Sequence, residues 1–265
     1  MAEFEEGTHS LALPRQFREY TLLEKIGEGA EAVVYKATNN QDQTICLKVY
    51  KHLLEQGSEL VTDFAPKFND LLNQLQKVNS EYLVKVHNTA VIDGFPTIDM
   101  EMLEGQTLES LLDSKQMLAW QQVFSALADI FEGFTDIQAA GLYTDDINSR
   151  SNIVVTDNGR CKIIDLLVWE DKHSIEQELG ETIRDLGIEL QELYTDSAPP
   201  TFTTVTERMS QLGKPGGYQS FKEVIAELRK AAKLGKQGNS GTIAMSSALP
   251  TITTRVDSAR RAPNL

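Results

Sequence analysis

Short runs in which apolar and polar residues alternate occupy the chain from about residue 20 to residue 50. The runs read YTLLEKI, AVVYKA and TICLKVY, and the clusters GEGAE and NNQDQ separate them. An alternation with a period of two is typical of a β-strand with one buried face, and clusters of Gly, Asn and Asp are typical of turns. The pattern predicts a meander of three strands.

The apolar residues change to helical spacing between residues 60 and 78, which predicts one helix. Its apolar positions are Phe64, Phe68, Leu71, Leu72, Leu75 and Val78. Two strand-like runs follow, LVKVHNTAVI and TIDMEML, and the dipeptide Asp93-Gly94 between them is typical of a tight hairpin turn. The region up to about residue 104 is therefore predicted to be mostly sheet with one helix.

After Gly105 the apolar residues keep helical spacing over most of the remaining chain. A first short stripe is followed by a long one, and the two comprise Leu108, Leu111, Leu112, Trp120, Val123, Phe124, Leu127, Ile130, Phe131, Phe134 and Ile137. Shorter stripes run through residues 183–193 and 221–228. This second region is predicted to be mostly helical, and the Gly-, Ser- and Thr-rich residues from about 235 onward are predicted to be disordered.

The net charge of the chain is −14. Because polyanions are repelled by such a charge, it argues against binding to nucleic acid or to an anionic membrane. Cys46 and Cys161 lie inside apolar, strand-like runs, which is typical of buried free thiols in a reducing compartment. The first ten residues lack a secretion signal's basic and apolar regions, and no run of 18 apolar residues follows. We expect a soluble cytoplasmic protein.

The dipeptide Asn158-Gly159 lies between the strand-like runs NIVV and CKII. It predicts a two-residue type I′ turn, which would place Asn152 opposite Asp165 with Cβ atoms about 5 Å apart. An amide oxygen and a carboxylate at that distance could share a hard cation such as Mg²⁺. The alternative is that Asn152 caps a turn and Asp165 ends a strand.

Residues 20 to 230 resemble the protein-kinase-like superfamily. The stretch IGEGAEAVVYKA resembles the family's glycine-rich loop over the phosphates of ATP, and the lysine of ICLK resembles the strand lysine that contacts the α and β phosphates. The resemblance implies that Gly27, Gly29 and Val34 bind the nucleotide and that Lys48 binds it and serves catalysis. The alternative for Lys48 is an ordinary exposed lysine on a strand.

The resemblance implies an α+β fold of the bilobal protein-kinase type, with a β-rich N-lobe, a mainly helical C-lobe and a shortened activation segment. An N-terminal extension would cover residues 1–19 and the N-lobe residues 20–104. The C-lobe would cover residues 105–233, and a disordered Ser/Thr-rich tail would cover residues 234–265.

The segment TIDMEML resembles the connection between the family's two lobes. This implies that Met100 lies behind the adenine and that the backbone of Glu101 and Met102 hydrogen-bonds it. The alternative is that these methionines belong only to the core. Asn152 and Asp165 are 13 residues apart, as the family's two metal ligands are, which implies that they hold Mg²⁺ together with ATP.

The catalytic loop departs from the family pattern H-R-D-L-x-x-x-N. Alignment from Gly141 puts Thr144 and Asp145 at the His and Arg positions and makes Asp146 the catalytic base. One extra residue then precedes Asn152. The alternative is that Asp146 belongs to a solvated acidic turn.

Two further positions differ from the family pattern. Leu71 stands where a glutamate should hold the strand lysine, and Asp165-Leu166-Leu167 replaces D-F-G. Only about 17 residues separate Asp165 from the next predicted helix. The shortened segment argues against regulation by activation-loop phosphorylation and weakens any inference about peptide substrates.

Three functions are compatible with these features. The first is a divergent Ser/Thr protein kinase that uses ATP and Mg²⁺ to phosphorylate a protein hydroxyl. The second is a pseudokinase, a nucleotide-binding or scaffolding module that binds a signalling partner without phosphate transfer. The third is a small-molecule kinase of the aminoglycoside or choline type, which the short segment after Asp165 suggests.

The tail contains the sequence Thr254-Arg255-Val256-Asp257, which has the form pT-x-x-D once Thr254 is phosphorylated. Forkhead-associated domains favour this form, so phosphorylated Thr254 could recruit a phosphothreonine-reading domain through charge-assisted hydrogen bonds. The alternative is a solvated tail with a chance match.

Overall fold

The computed structural model describes residues 13–29, 32–51, 74, 77–114, 119–140, 149–165 and 199–234. These residues form two compact units. The first unit contains residues 13–29, 32–51 and 86–102, and the second contains the remaining described residues.

The first unit is built on an antiparallel sheet with the strand order β1-β2-β3-β4-β6-β5. The strands are β1 Arg15–Phe17, β2 Tyr20–Glu28, β3 Ala32–Thr38, β4 Thr44–Tyr50, β5 Val86–Ile92 and β6 Phe95–Glu101. The predicted meander is confirmed as β2, β3 and β4, and both later strands are also confirmed. Strand β1 was not predicted. It pairs with the start of β2 and precedes the predicted kinase-like region.

One face of this sheet carries a hydrophobic core that includes Tyr20, Tyr35, Leu47 and Phe95. Consecutive residues of a strand point to opposite faces, so the even-numbered residues of β4 lie on the other face. The hairpin between β5 and β6 turns through Asp93 and Gly94, whose φ angles of 52° and 89° are those of a type I′ turn. The turn predicted at Asp93-Gly94 is therefore confirmed.

The second unit combines helices with a small antiparallel sheet of order β7-β8-β9. In chain order its elements are β7 Gly105–Thr107, α1 Leu108–Asp113, α2 Trp120–Ala139, a 3₁₀ turn Arg150–Asn152, β8 Ile153–Thr156, β9 Cys161–Ile163, α3 Pro200–Met209 and α4 Phe221–Leu234. The long apolar stripe predicted from residue 120 to residue 137 is confirmed as helix α2. Seven of its eight members are buried, and Trp120 is half-buried.

Two close backbone approaches fix the position of the small sheet within the second unit. At Gly105, where φ is +154°, an added Cβ atom would lie 2.3 Å from the carbonyl oxygen of Val155, so β7 can approach β8 only with glycine at this position. At Gly133 an added Cβ atom would lie 2.9 Å from the side chain of Ile163, so helix α2 packs closely on β9. The sheet is therefore held directly against the long helix.

The other predicted helices are confirmed only in part. The helix predicted over residues 221–228 is confirmed as α4, whereas helix α3 was not predicted. The helix predicted over residues 183–193 and most of the one over residues 60–78 lie outside the described residues. Across the described part of the chain, no helix has the length and apolar character needed to span a bilayer.

Candidate functional site

Three of the predicted nucleotide-binding residues lie in one row across the sheet of the first unit. Gly27 on β2 pairs with Val34 on β3, and Val34 pairs with Lys48 on β4. Lys48 pairs in turn with Ile98 on β6. Directly paired residues of neighbouring strands project to the same face, so Val34 and Lys48 present their side chains beside the backbone of Gly27.

The glycine-rich loop connects β2 to β3. The backbone N–H of Gly29 donates a 2.9 Å hydrogen bond to the carbonyl oxygen of Ala32, which closes the base of the loop. Among the described residues, no atom lies within 4 Å of a Cβ atom added at Gly29. The backbone at Gly29 is therefore accessible on its side-chain side, as close approach to a phosphate requires.

Glu28, between the two glycines, connects this loop to neighbouring lysines. Its carboxylate lies 2.8 Å from Nζ of Lys25 and 2.8 Å from Nζ of Lys51, just past β4. Hydrogen bonds from these two ammonium groups lower the pKa of Glu28 to about 2. The ion pair between Glu28 and Lys51 thus connects the end of β2 to the end of β4.

Lys48 lies between Cys46 and Tyr50 on the same face of β4. Its ammonium group is 5.1 Å from the centroid of the Tyr50 ring. Cys46 is a half-buried free thiol, and desolvation raises its pKa to about 12. Cys161 is also a free thiol and is buried as predicted, whereas Cys46 is less buried than predicted.

The residues predicted to contact adenine lie at the end of β6. Met100 is buried and pairs with Cys46 on one side and with Val86 on the other. Glu101 is the last residue of β6, and Met102 follows the strand. Glu101 and Met102 are half-buried, and their roles stay predictions.

The hairpin that carries the predicted metal ligands has a different register from the predicted one. Ile153 pairs with Ile163, and the N–H of Ile164 donates a 2.9 Å hydrogen bond to the carbonyl oxygen of Asn152. Asn152 therefore lies opposite Ile164. The prediction that Asn152 directly opposes Asp165 is wrong by one residue.

The turn of this hairpin explains the shift. Of the three loop residues 157–159, only Gly159 has a positive φ, at 78°, whereas a type I′ turn needs two such residues in succession. The side-chain oxygen of Asn158 accepts hydrogen bonds from the N–H of Arg160, at 3.0 Å, and from the hydroxyl of Thr156, at 2.7 Å. These bonds stabilise Asn158 outside the left-handed region, and the loop takes three residues rather than two.

Asn152 and Asp165 nevertheless lie at the same open end of the hairpin. Asn152 ends the 3₁₀ turn that leads into β8, and Asp165 is two residues beyond the end of β9. Both are half-buried, and an amide oxygen and a carboxylate are the kind of donors that Mg²⁺ takes in proteins. The donor chemistry fits a magnesium ion, and their joint role in holding one stays a prediction.

A buried carboxylate that was not predicted anchors this hairpin. Asp129 of α2 has no exposed surface, and its Oδ2 accepts a 3.0 Å hydrogen bond from the N–H of Cys161. Oδ2 also lies 3.1 Å from Nε of Arg160, and Oδ1 lies 2.7 Å from Nη2 of Arg229 on α4. An aspartate inside the apolar stripe of α2 was the available sequence signal, because a carboxylate on a buried helix face needs cationic or hydrogen-bonding partners.

The opposite edge of β9 is held by the segment that precedes β5. The N–H of Ile163 donates to the carbonyl oxygen of Tyr82 at 2.9 Å, and the N–H of Val84 donates to the carbonyl oxygen of Ile163 at 2.9 Å. Asp165 follows Ile163 by two residues, so it comes directly after a strand that is hydrogen-bonded on both edges.

Several predicted residues lie outside the described part of the chain. They are Asp146 with its neighbours Thr144 and Asp145, the pair Leu166-Leu167, Leu71, and the tail around Thr254. The shortened activation segment that was predicted after Asp165 also lies there.

The chain is similar to known proteins in both sequence and fold. The family model for the protein kinase domain matches residues 20–174. A probable serine/threonine-protein kinase of Bifidobacterium longum is 24% identical over 147 residues, which are 55% of this chain and 19% of that protein. The serine/threonine-protein kinase PknL of Mycobacterium tuberculosis is 26% identical over 147 residues, 55% of this chain and 36% of that protein.

Among solved structures, the PknI kinase domain of Mycobacterium tuberculosis is similar with a TM-score of 0.61 and 16% identity. The similarity covers 84% of this chain and 100% of that chain. It confirms the predicted α+β, protein-kinase-like fold class. The curated relatives are much longer than the matched region, since the matches span only 19% to 36% of the two named above.

Proposed function

Since this chain belongs to the protein kinase domain family, we propose that it transfers the γ-phosphate of ATP to a Ser or Thr hydroxyl of a protein. The observation that carries the proposal is the row formed by Gly27, Val34 and Lys48 across three adjacent strands. In protein kinases, a glycine-rich backbone and a strand lysine contact the phosphates of ATP, and the row presents both on one surface beside an apolar side chain.

Each binding residue has a distinct role in this proposal. The backbone at Gly27 and Gly29 lies over the phosphates, and Lys48 places a positive charge on the α and β phosphates. Val34 packs on the adenine. The backbone of Glu101 and Met102 hydrogen-bonds the adenine edge.

Asn152 and Asp165 would supply the protein oxygens for a magnesium ion that accompanies ATP. When it is bound, Mg²⁺ neutralises negative charge on the phosphates. The anchoring of the hairpin by Asp129 supports this role, because a ligand pair must be held in a fixed geometry.

The chemical step needs a proton acceptor, and we assign that role to Asp146. The hydroxyl oxygen of the substrate forms a new bond to the γ-phosphorus while the bond from that phosphorus to the bridging oxygen breaks and ADP leaves. Asp146 takes the hydroxyl proton.

The test is intact-mass analysis of the purified protein incubated with Mg²⁺ and ATP, with and without a generic basic protein substrate. We expect a gain of one or more phosphates on Ser or Thr residues. Lys48→Met and Asp146→Asn should abolish the gain, and the exposed helical lysine variant Lys230→Met should retain it. Phosphate gain that persists in Asp146→Asn would remove that residue from the mechanism.

The pseudokinase remains the second candidate, because Leu71 and Asp165-Leu166-Leu167 depart from the family pattern. It predicts no phosphate transfer but a magnesium-dependent rise in melting temperature on addition of ATP. If the chain is instead a small-molecule kinase, we expect phosphate transfer to an aminoglycoside or to choline and none to protein.

Two further proposals concern a binding partner of the tail and the cellular location of the chain. We propose that Thr254 is phosphorylated and then bound by a phosphothreonine-reading domain, which the spacing to Asp257 supports. Capture of the phosphorylated chain by an isolated forkhead-associated domain should be lost in Thr254→Ala and retained in Thr251→Ala. Equal capture of both variants would contradict the proposal.

We also propose a cytoplasmic location, which the free thiols Cys46 and Cys161 support.

A further inference from the structure

Tyr50 and Lys48 form a contact on strand β4 that the family resemblance did not indicate. The two residues are separated by one position, so both side chains lie on the face that carries Val34. Nζ of Lys48 is 5.1 Å from the centroid of the Tyr50 ring. This distance lies within the range of about 6 Å over which an ammonium group is attracted to the face of an aromatic ring.

The surroundings of Tyr50 favour a fixed ring. Only 4% of Tyr50 is exposed, and Tyr50 pairs with Ala32 at the start of β3. Ala32 also accepts the hydrogen bond from Gly29 that closes the glycine-rich loop. The ring therefore lies where the base of this loop meets the strand of Lys48.

Lysine side chains are flexible, with four rotatable carbon–carbon bonds and a strongly hydrated ammonium group. A buried ring that attracts the ammonium group reduces the number of conformations available to it and excludes water from one side. The phosphates of ATP would then meet an ammonium group that is already oriented.

We propose that Tyr50 is a positioning residue that orients the ammonium group of Lys48 toward the nucleotide phosphates through a cation–π contact. This inference rests on the proposed function, in which Lys48 contacts those phosphates. It adds a residue of the same strand to the site and assigns a role to the aromatic ring.

The kinetic test compares three variants with the wild-type chain. Tyr50→Leu removes the ring and should lower kcat/KM for ATP about 10-fold. Tyr50→Phe keeps the ring and should retain most of the wild-type kcat/KM. Tyr35→Leu is the matched control, because Tyr35 is also 4% exposed but pairs with Leu47 on the opposite face of the sheet. It should lower the melting temperature about as much as Tyr50→Leu does while kcat/KM changes less than about 2-fold.

A second measurement needs no catalysis and separates failure of this inference from failure of the proposed function. The ring current of Tyr50 should shift the NMR signals of the Lys48 Hε protons. The shift should persist in Tyr50→Phe and disappear in Tyr50→Leu. If the wild-type chain transfers no phosphate, this shift still decides whether Tyr50 holds Lys48.

The inference is overturned if Tyr50→Leu retains wild-type kcat/KM, or if the Lys48 signals are the same in Tyr50→Leu and in wild type. It is also overturned if Tyr35→Leu loses as much kcat/KM as Tyr50→Leu, since the loss would then follow from general destabilisation.

Discussion

Oδ1 of Asp129 lies 2.7 Å from Nη2 of Arg229, which joins helix α2 to helix α4 inside the second unit. The other carboxylate oxygen contacts Arg160 and the N–H of Cys161 at the start of β9. One fully buried side chain thus connects two helices and the hairpin that leads to Asp165. The position of a predicted metal ligand therefore depends on a carboxylate that lies 36 residues earlier in the chain.

Replacement of Asp129 by Asn should lower the free energy of unfolding by about 3 kcal/mol. Removal of one partner of a buried ion pair typically costs about 3–5 kcal/mol, and the lower end is expected because both arginines reach solvent. Urea denaturation measures the change. Glu132→Gln, on the same helix but half-buried, should stay within about 0.5 kcal/mol of wild type. Equal effects of the two substitutions would contradict the anchoring role.

The two hairpin turns show how far turn dipeptides predict structure. Asp93-Gly94 and Asn158-Gly159 have the same sequence signature, yet the first forms a two-residue type I′ turn and the second lies in a three-residue loop. The difference comes from the side chain of Asn158, which accepts hydrogen bonds from Arg160 and Thr156. The pairing of the two strands was therefore predictable from the sequence, but the register depended on hydrogen bonds between the Asn158 side chain and residues outside the dipeptide.

Helix α3 and the Asp129 cluster were missed because tertiary contacts determine them. Helix α3 contains four threonines in ten residues, which lowers its intrinsic helix propensity. It buries Phe202, whose ring centroid lies 4.6 Å from that of Trp120 on α2. The meander of β2, β3 and β4, across which the nucleotide row lies, follows local patterns. The pairing of β4 with β6, helix α3 and the partners of Asp129 depend instead on contacts between distant segments.

Alanine substitution at three glycines should separate a structural role from a binding role. Gly105→Ala should lower stability by about 2–4 kcal/mol, because the new Cβ atom would lie 2.3 Å from the carbonyl oxygen of Val155 at a φ of +154°. Gly159→Ala should cost only about 1 kcal/mol, because its φ is +78° but nothing lies within 4 Å of the new atom.

Gly29→Ala should leave the melting temperature close to that of wild type, since no atom of the described part of the chain lies within 4 Å of the added methyl group. It should instead raise the KM for ATP, because that methyl group would stand where a phosphate is proposed to approach the backbone. Thermal melting and steady-state kinetics measure the two effects. An unchanged KM would argue against phosphate binding at Gly29.

The ion pairs of Glu28 should make stability depend on pH. The pKa of Glu28 is lowered to about 2 by hydrogen bonds from Lys25 and Lys51. A lowered carboxyl pKa stabilises the fold above the unfolded value of about 4.5, and this contribution is lost as the pH falls toward 2. Because Glu28 is exposed, the contribution should be only about 0.5–1 kcal/mol and should decrease with salt.

Measurements of unfolding free energy between pH 2 and pH 7 test this dependence in Glu28→Gln. The variant should be less stable than wild type at pH 7, and the difference should shrink at the acidic end. Glu24→Gln on the same strand is the control and should show a smaller effect at pH 7. A constant difference across the pH range would show that Glu28 acts through packing rather than charge.

The two cysteines should report nucleotide binding without any phosphate transfer. Burial raises the pKa of both Cys46 and Cys161 to about 12, so about one thiol in ten thousand is ionised at pH 8. Alkylation by iodoacetamide should therefore be slow in the folded protein and rise about tenfold per pH unit up to about pH 12 while the fold persists. Cys46 lies on the proposed nucleotide face, two residues before Lys48, whereas Cys161 is fully enclosed beside Asp129.

Addition of ATP and Mg²⁺ should slow the alkylation of Cys46 severalfold more than that of Cys161. Global stabilisation by a ligand should slow the alkylation of the buried Cys161 at least as much as that of the half-buried Cys46, so greater protection of Cys46 requires local cover there. Peptide mass spectrometry after timed labelling measures both alkylation rates in one sample. AMP, which lacks the β and γ phosphates, serves as the comparison nucleotide. Equal protection of the two cysteines would place the nucleotide away from the face of β4 that carries Lys48.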